Sequence, residues 1–315
     1  MLMLFGITGI AVYISSCKGK KSETTTTETR DSMQQVLDRG RYLVHHVAGC
    51  VDCHSKRDFT KYSGPVVPGT EGGGGMLFDE KFGLPGKVYG RNITPDTETG
   101  IGTWTDEQIL RAITQGINKN GDTLFPLMPY ANYNHMAKSD LLSIIAYIRT
   151  LKPIKNAVPA RQLMIPIAMA YPAPFLQPSV DGNMKPPETD QAKYGQYLAT
   201  FADCGTCHSP LTPHGPDMSR IYSGGYTFDL GSNKVTSANI TPDSTTGIGT
   251  WTEERFMMKF TPYREEKNYN YNPGNQNTIM PLSLLAGLSD QDLKCLYAFF
   301  KSIKPMKNQV EKFPK

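Results

Sequence analysis

The chain has 315 residues, of which 39% are hydrophobic and 20% charged, with 29 glycines and 23 prolines. At about 100–200 residues per domain this length fits two domains, and the proline and glycine content favours a loop-rich fold over a regular sheet or bundle. The formal charge of +4 is too mild to point to a nucleic-acid partner. Four of the six cysteines fall in two close pairs, which is not the layout of a small disulfide-stapled protein.

In chain order, Met1 to Ser16 form an apolar segment too short to span a bilayer as a stable helix. Residues 1–16 therefore read as a signal-peptide core. The segment ends Ile14-Ser15-Ser16-Cys17, which resembles the lipobox of bacterial lipoproteins. That resemblance implies a lipid on Cys17 and a membrane-anchored protein of a bacterial cell envelope, facing away from the cytoplasm. Lys18 to Thr29 holds no hydrophobic residue, so 17–32 is expected to be a flexible tether.

The next segment, 33–158, reads as a first domain. Residues 34–48 have helical apolar spacing and lead into Cys50. The glycine run Gly72 to Gly75 is expected to be a mobile loop. A helix should start after Trp104, with Thr105 as N-cap and Gln108 completing a capping box. A last helix over 138–151 places Leu141, Ile144, Ile145 and Ile148 on one face. Residues 159–187 are Pro-rich and apolar, a linker expected to lie extended across both domains. In the second domain, 188–315, the same elements are predicted over 190–202, after Thr252 (where Arg255 replaces the box residue) and over 290–303, capped by Ser289. No strands are predicted. The expected fold is mainly α: two tandem domains with long loops.

A repeat underlies this division. Asn92-Ile93-Thr94-Pro95-Asp96 recurs as Asn239-Ile240-Thr241-Pro242-Asp243, and both copies continue to Thr-Gly-Ile-Gly-Thr-Trp-Thr, ending at Thr105 and Thr252. Upstream, Gly40-Arg41-Tyr42-Leu43 pairs with Gly195-Gln196-Tyr197-Leu198, and downstream Leu151-Lys152-Pro153 with Ile303-Lys304-Pro305. A period of about 150 residues is too long for a solenoid unit and indicates tandem domains.

Cys50-Val51-Asp52-Cys53-His54 and Cys204-Gly205-Thr206-Cys207-His208 both fit Cys-x-x-Cys-His, the attachment motif of c-type haem. Thiols one helical turn apart can add to the two vinyl groups of one haem, and the adjacent histidine then reaches the iron from the same turn. Zinc-ribbon spacing would require the cysteine pairs to be much closer together in sequence, and a thioredoxin-like site needs one pair in a βαβ setting. Two covalently bound haem c groups are therefore expected, on Cys50, Cys53, Cys204 and Cys207, with His54 and His208 as axial ligands. Met128 and Met280 each precede a proline and stand 23 residues before the Leu/Ile-Lys-Pro endings, which makes them the expected second axial ligands. A thioether suits haem iron and raises its potential. Pro129 and Pro281 restrict the preceding methionine to extended backbone. Met136, Met257 and Met258 have no counterpart in the other repeat. Cys295, where the first repeat has Ser143, reads as a small buried hydrophobe. His45, His46, His135 and His214 read as ordinary surface or core histidines.

The Asn-Ile-Thr-Pro-Asp to Thr-Trp-Thr run, followed by a helix and Met-Pro, resembles the cytochrome c subunits of membrane-bound alcohol and gluconate dehydrogenases, and more broadly diheme cytochromes of that group. The resemblance covers about 34–152 and 190–305. It implies small helical cytochrome c domains and electron relay from a redox donor such as a dehydrogenase to a cytochrome or oxidase, with no substrate chemistry of the chain's own. It also implies that the Pro65 and Pro216 carbonyls orient the proximal histidines, that Trp104 and Trp251 stand near a haem edge, and that Asn92 and Asn239 order the preceding loops. A diheme peroxidase would need one iron with a displaceable sixth ligand, and the two Met-Pro sites are too alike for that division. A thiosulfate-oxidising diheme enzyme would need a non-Met ligand at one haem.

Overall fold

The computed structural model describes residues 23–171, 176–212 and 215–315; the leader 1–16, Cys17 and His214 lie outside the described residues. The chain divides into two units, Met1–Gln35 and Val36–Lys315. In the first, residues 23–35 are helical, the opening turns of α1 (Glu23–Tyr42). The tether expected over 17–32 is thus helical from Glu23 onward. Starting a helix is the costly step and extending it is cheap, so the amphipathic segment that follows carries the helix back into polar sequence.

The second unit holds both repeats, and the α-helices follow the same order in each. In the first, α1 runs into a π-helical turn, Leu43–Val47, and then α2 (Cys50–Cys53), α3 (Asp106–Gln115), α4 (Tyr130–Tyr133) and α5 (Lys138–Ile148). In the second come α6 (Gln191–Phe201), α7 (Cys204–Cys207), α8 (Glu253–Met257), α9 (Leu282–Leu285) and α10 (Asp290–Ser302). The predicted capping box at α3 is present in both directions: Gln108 N donates to Thr105 Oγ1 and Thr105 N to Gln108 Oε1. Its counterpart has only the bond from Arg255 N to Thr252 Oγ1, and α8 is half as long.

Strands are present where none were predicted. β1 (Leu77–Phe78), β2 (Gly86–Tyr89) and β3 (Gln162–Leu163) form an antiparallel sheet in that order. β4 (Leu211–Thr212) pairs with β5 (Gly215–Pro216), and β6 (Thr227–Asp229) with β7 (Lys234–Thr236). Each has two to four residues, too few for alternation to show in the sequence.

The repeated glycines mark a helix crossing. A Cβ on Gly40 would fall 2.0 Å from Ser143 O, and one on Gly195 1.9 Å from Cys295 O. Each repeat's first helix therefore touches its last helix backbone to backbone. Cys295 is fully buried there, as expected. Leu43, Val44, Leu141 and Ile145 of the first repeat share one continuous core with Leu198, Leu293 and Phe299 of the second. The contact between repeats is reciprocal. Tyr197 donates to Asp140 of the first repeat at 2.8 Å, and Tyr42 donates to Asp292 of the second. Each tyrosine hydroxyl also accepts the N–H that opens the other repeat's last helix, from Ala137 and Ser289. Arg39 adds a bidentate pair to Asp140. The described linker residues bond mainly along the first repeat: Arg161 to Thr123 O, Tyr171 to Gln115 O and Gln177 N to Asn134.

Candidate functional site

The two cysteine turns are built alike. α2 follows Gly49 at φ +57°, and α7 follows Asp203 at φ +53°. His54 N donates to Cys50 O and His208 N to Cys204 O, so each histidine closes the turn that presents the thiols. None of the four cysteines is in a disulfide, and surrounding protein pushes their thiol pKa values up, to about 12 for Cys50 and Cys204. The donor set, two thiols and an imidazole on one turn, suits a covalently attached haem. Among the described residues no three or more His, Cys, Asp and Glu side chains converge as a metal ion alone would need.

Both histidine rings are oriented from behind. His54 Nδ1 lies 2.6 Å from Arg91 O, and His208 Nδ1 2.7 Å from Ala238 O. A carbonyl can only accept, so Nδ1 carries the proton and Nε2 keeps its lone pair. Burial lowers both pKa values, against the raising effect of these bonds, and favours the neutral ring that ligates metal. This corrects the expected role of Pro65 and Pro216. Pro65 O instead accepts from Asp58 N, and Pro216 sits in the short β4–β5 ladder. The loop after each histidine pairs with itself, Arg57 with Val66 and Leu211 with Pro216.

The orienting carbonyls belong to the residues just before Asn92 and Asn239, and each of these asparagines makes four side-chain bonds. Asn92 Oδ1 accepts from Thr94 N and Oγ1, while Nδ2 donates to Thr99 Oγ1 and Ile154 O. Asn239 repeats all four bonds with Thr241, Thr246 and Met306. The loop is thereby tied to the chain leaving the last helix. The glycine run is part of the same wall and is not a mobile loop: Gly72, Gly73 and Gly74 are buried, and Gly74 N donates to His54 O. A Cβ on Gly74, at φ +75°, would meet Asn92 N at 2.7 Å. Close backbone approach, and not flexibility, is what requires glycine there.

Met128 and Met280 are partly buried at the margin of the core that also carries Cys50, Cys204, Trp104 and Trp251. Their backbones form the same tight turn. Tyr130 N donates to Met128 O and Leu282 N to Met280 O, both at 2.8 Å. Between them Pro129 (φ −79°, ψ 51°) and Pro281 (φ −81°, ψ 66°) take inverse γ-turn angles. Trp104 O accepts from Arg149, and the Trp251 ring lies under Arg255 and Lys259 at 4.7 and 5.1 Å.

Sequence reasoning missed a polar cluster between the two cysteine turns. Asp203 accepts from Thr206 Oγ1 at 2.6 Å and from Asn132 Nδ2 of the first repeat at 2.9 Å. Burial raises its carboxyl to about 7 despite those bonds. Arg57 Nη1 lies 3.0 Å from Asp52 Oδ1, beside Cys53. The turns are close enough for Asp203 to act on Cys53, and for Asp52 and Cys53 to act on Cys207. Only the replacement of Gly49 by Asp203 at a left-handed position hinted at this cluster in the sequence.

No protein-family profile matches the chain. It is 27% identical to the gluconate 2-dehydrogenase cytochrome c subunit of Pantoea cypripedii over 85% of this chain and 59% of that one. It is 30% identical to the fructose dehydrogenase cytochrome subunit of Gluconobacter japonicus over 74% of this chain and 46% of that one. It is 28% identical to a diheme cytochrome c-type protein of Cereibacter sphaeroides over 81% of this chain and 82% of that one. The chain thus resembles the cytochrome c subunits of sugar-acid, alcohol and sugar dehydrogenases, and it spans well under two thirds of the length of the two dehydrogenase subunits.

Proposed function

We propose that this chain is an electron-transfer protein whose two repeats are cytochrome c-like domains, each holding one covalent haem c. Cys50 and Cys53 attach the first, with His54 and Met128 on its iron; Cys204 and Cys207 attach the second, with His208 and Met280. The reading rests above all on one observation, made twice: a Cys-x-x-Cys-His turn whose histidine is oriented by a carbonyl and kept neutral by burial, matched by an inverse γ-turn at Met-Pro. Haem supplies a one-electron couple. The two cysteines of each turn would hold it and the histidine and methionine would both bind its iron, leaving no open site for a substrate, so the chain would relay electrons without bond chemistry of its own. The proximity of the two cysteine turns favours exchange between the haems.

The relatives' names support a dehydrogenase as the donor; a cytochrome or oxidase as acceptor, in a respiratory chain, completes the proposal. Export across the membrane, cleavage before Cys17 and lipidation of Cys17 complete the reading, with the protein held on a cell-envelope membrane by its lipid. No helix among the described residues is long and apolar enough to cross a membrane.

The test is haem stoichiometry with ligand spectroscopy. Matured protein should carry two haems per chain. Oxidised, it should show the near-infrared sulfur-to-iron band, and Met128→Ala or Met280→Ala should each remove about half of it, since each haem contributes one methionine bond. One haem per chain, or a full band in both variants, would refute the assignment, and peroxide turnover at enzymatic rates would favour a diheme peroxidase instead.

A further inference from the structure

The contact between repeats is reciprocal at Tyr42 and Tyr197 but not around the methionine turns. Eight residues separate Arg57 from Val66, which pair across the loop after the first haem motif, and four separate Leu211 from Pro216 in the second repeat. The longer first-repeat loop lies against the second repeat's approach to Met280. Tyr62 N donates to Tyr271 O at 3.0 Å, and the Tyr62 ring stacks with Tyr263 and Tyr271. Asn277 Nδ2 donates to Phe59 O and Lys61 O, and Asn277 Oδ1 accepts from Ser63 N.

The loop ends at the turn itself. Ser63 Oγ donates to Met280 O at 2.6 Å and accepts from Leu282 N at 2.7 Å. Those are the two groups that close the inverse γ-turn around Pro281, so one hydroxyl from the first repeat spans the turn that carries the second repeat's methionine. Ser63 is fully buried and stands at φ +68°. A left-handed serine costs about 1 kcal/mol that glycine would avoid. A serine retained there indicates that the hydroxyl is what the position requires. Met128's approach is held differently, with the linker's Arg161 on Thr123 O.

We infer that Ser63 is a positioning residue for Met280, by which the first repeat holds the sulfur ligand of the second haem. The inference rests on Met280 being that ligand. The two methionine turns are then held unequally: a first-repeat hydroxyl spans the Met280 turn itself, whereas at Met128 the bond to the second repeat, from Asn132 to Asp203, falls beyond the turn.

The test uses the full chain with both haems and follows the near-infrared sulfur-to-iron band against pH, together with carbon monoxide binding after reduction. Ser63→Gly relieves the backbone and removes the hydroxyl; Ser63→Ala removes the hydroxyl alone. Both should retain two haems, lose half of the band at a pH lower by about one unit or more, and bind carbon monoxide at one haem at least about tenfold more readily. Tyr42→Phe removes two bonds between repeats away from the turn and should behave as the parent. If Met280→Ala loses half the band while both Ser63 variants match the parent, the positioning role is wrong. The same follows if Tyr42→Phe moves the band as far as they do. If Met280→Ala keeps the whole band, it is the ligand assignment that fails.

Discussion

Asp203→Asn should make the protein more stable at neutral pH and leave it unchanged near pH 4. Asp203 sits between the two cysteine turns, and burial raises its carboxyl from 3.8 to about 7. Between those values the folded chain holds a proton that the unfolded chain has released. Stability therefore falls as pH rises through this window, by about 1.4 kcal/mol per pH unit, with a ceiling of about 4 kcal/mol over the roughly three units. Asp203 keeps some contact with solvent, so about 2 kcal/mol is the working figure. Asparagine keeps the oxygen that accepts from Thr206 and Asn132, and it tolerates the left-handed backbone at φ +53°. It cannot ionise. The variant should therefore melt about 4–8 °C above the parent at pH 8, with the difference vanishing toward pH 4. Thermal unfolding followed by circular dichroism from pH 4 to 8 measures this directly. A pH-independent difference, or a variant less stable at pH 8, would refute the claim that Asp203 is a buried acid carried at a cost.

Two further predictions concern the repeated loops. Thr105→Ala breaks a capping box made in both directions and should cost about 1–2 kcal/mol, whereas Thr252→Ala removes one cap bond from a five-residue helix and should cost about half as much; equal losses in denaturant unfolding would show that the returning Gln108 bond adds nothing. Asn92→Ala and Asn239→Ala each remove four bonds at a site 4% exposed and should each cost about 3 kcal/mol or more. A loss under about 1 kcal/mol in either would show that water replaces the side chain and that the loop does not depend on it.

What could be read from the sequence was chemistry that restricts residue type. On the proposed reading, thioether attachment demands cysteine and iron ligation demands histidine, so both motifs are plain in the sequence, and the matching Met-Pro pairs stand out by their spacing. The groups that orient the histidines were hidden for the complementary reason. They are backbone carbonyls, and a carbonyl places no demand on its side chain, so one repeat has Arg91 and the other Ala238. The proline expectation failed at that point, although the repeated asparagines one residue further on marked the correct loop. Contacts between repeats were equally hidden: Tyr42 and Tyr197 were visible as a repeated pair, but each finds its aspartate in the other repeat.

The π-helical turn is an intermediate case, because its cause is countable in the sequence and its form is not. Ten positions lead from Gly40 to Cys50, and nine from Gly195 to Cys204. Both ends of the longer stretch are pinned, Gly40 by its contact with Ser143 O and Cys50 by the turn that His54 closes. An extra residue between fixed ends of a helix is absorbed by local widening, and it is absorbed at Leu43–Val47. The widened turn carries His46 to the second repeat, where Nδ1 donates to Leu284 O at 2.7 Å on the helix just after Met280-Pro281. The ring fills the space above Gly287, where a Cβ would come within 2.0 Å of it. Two of the insertions that set the first repeat apart from the second are one residue in its first helix and four in the loop holding Ser63. Both bear on the same short stretch of the second repeat, on either side of the Met280 turn.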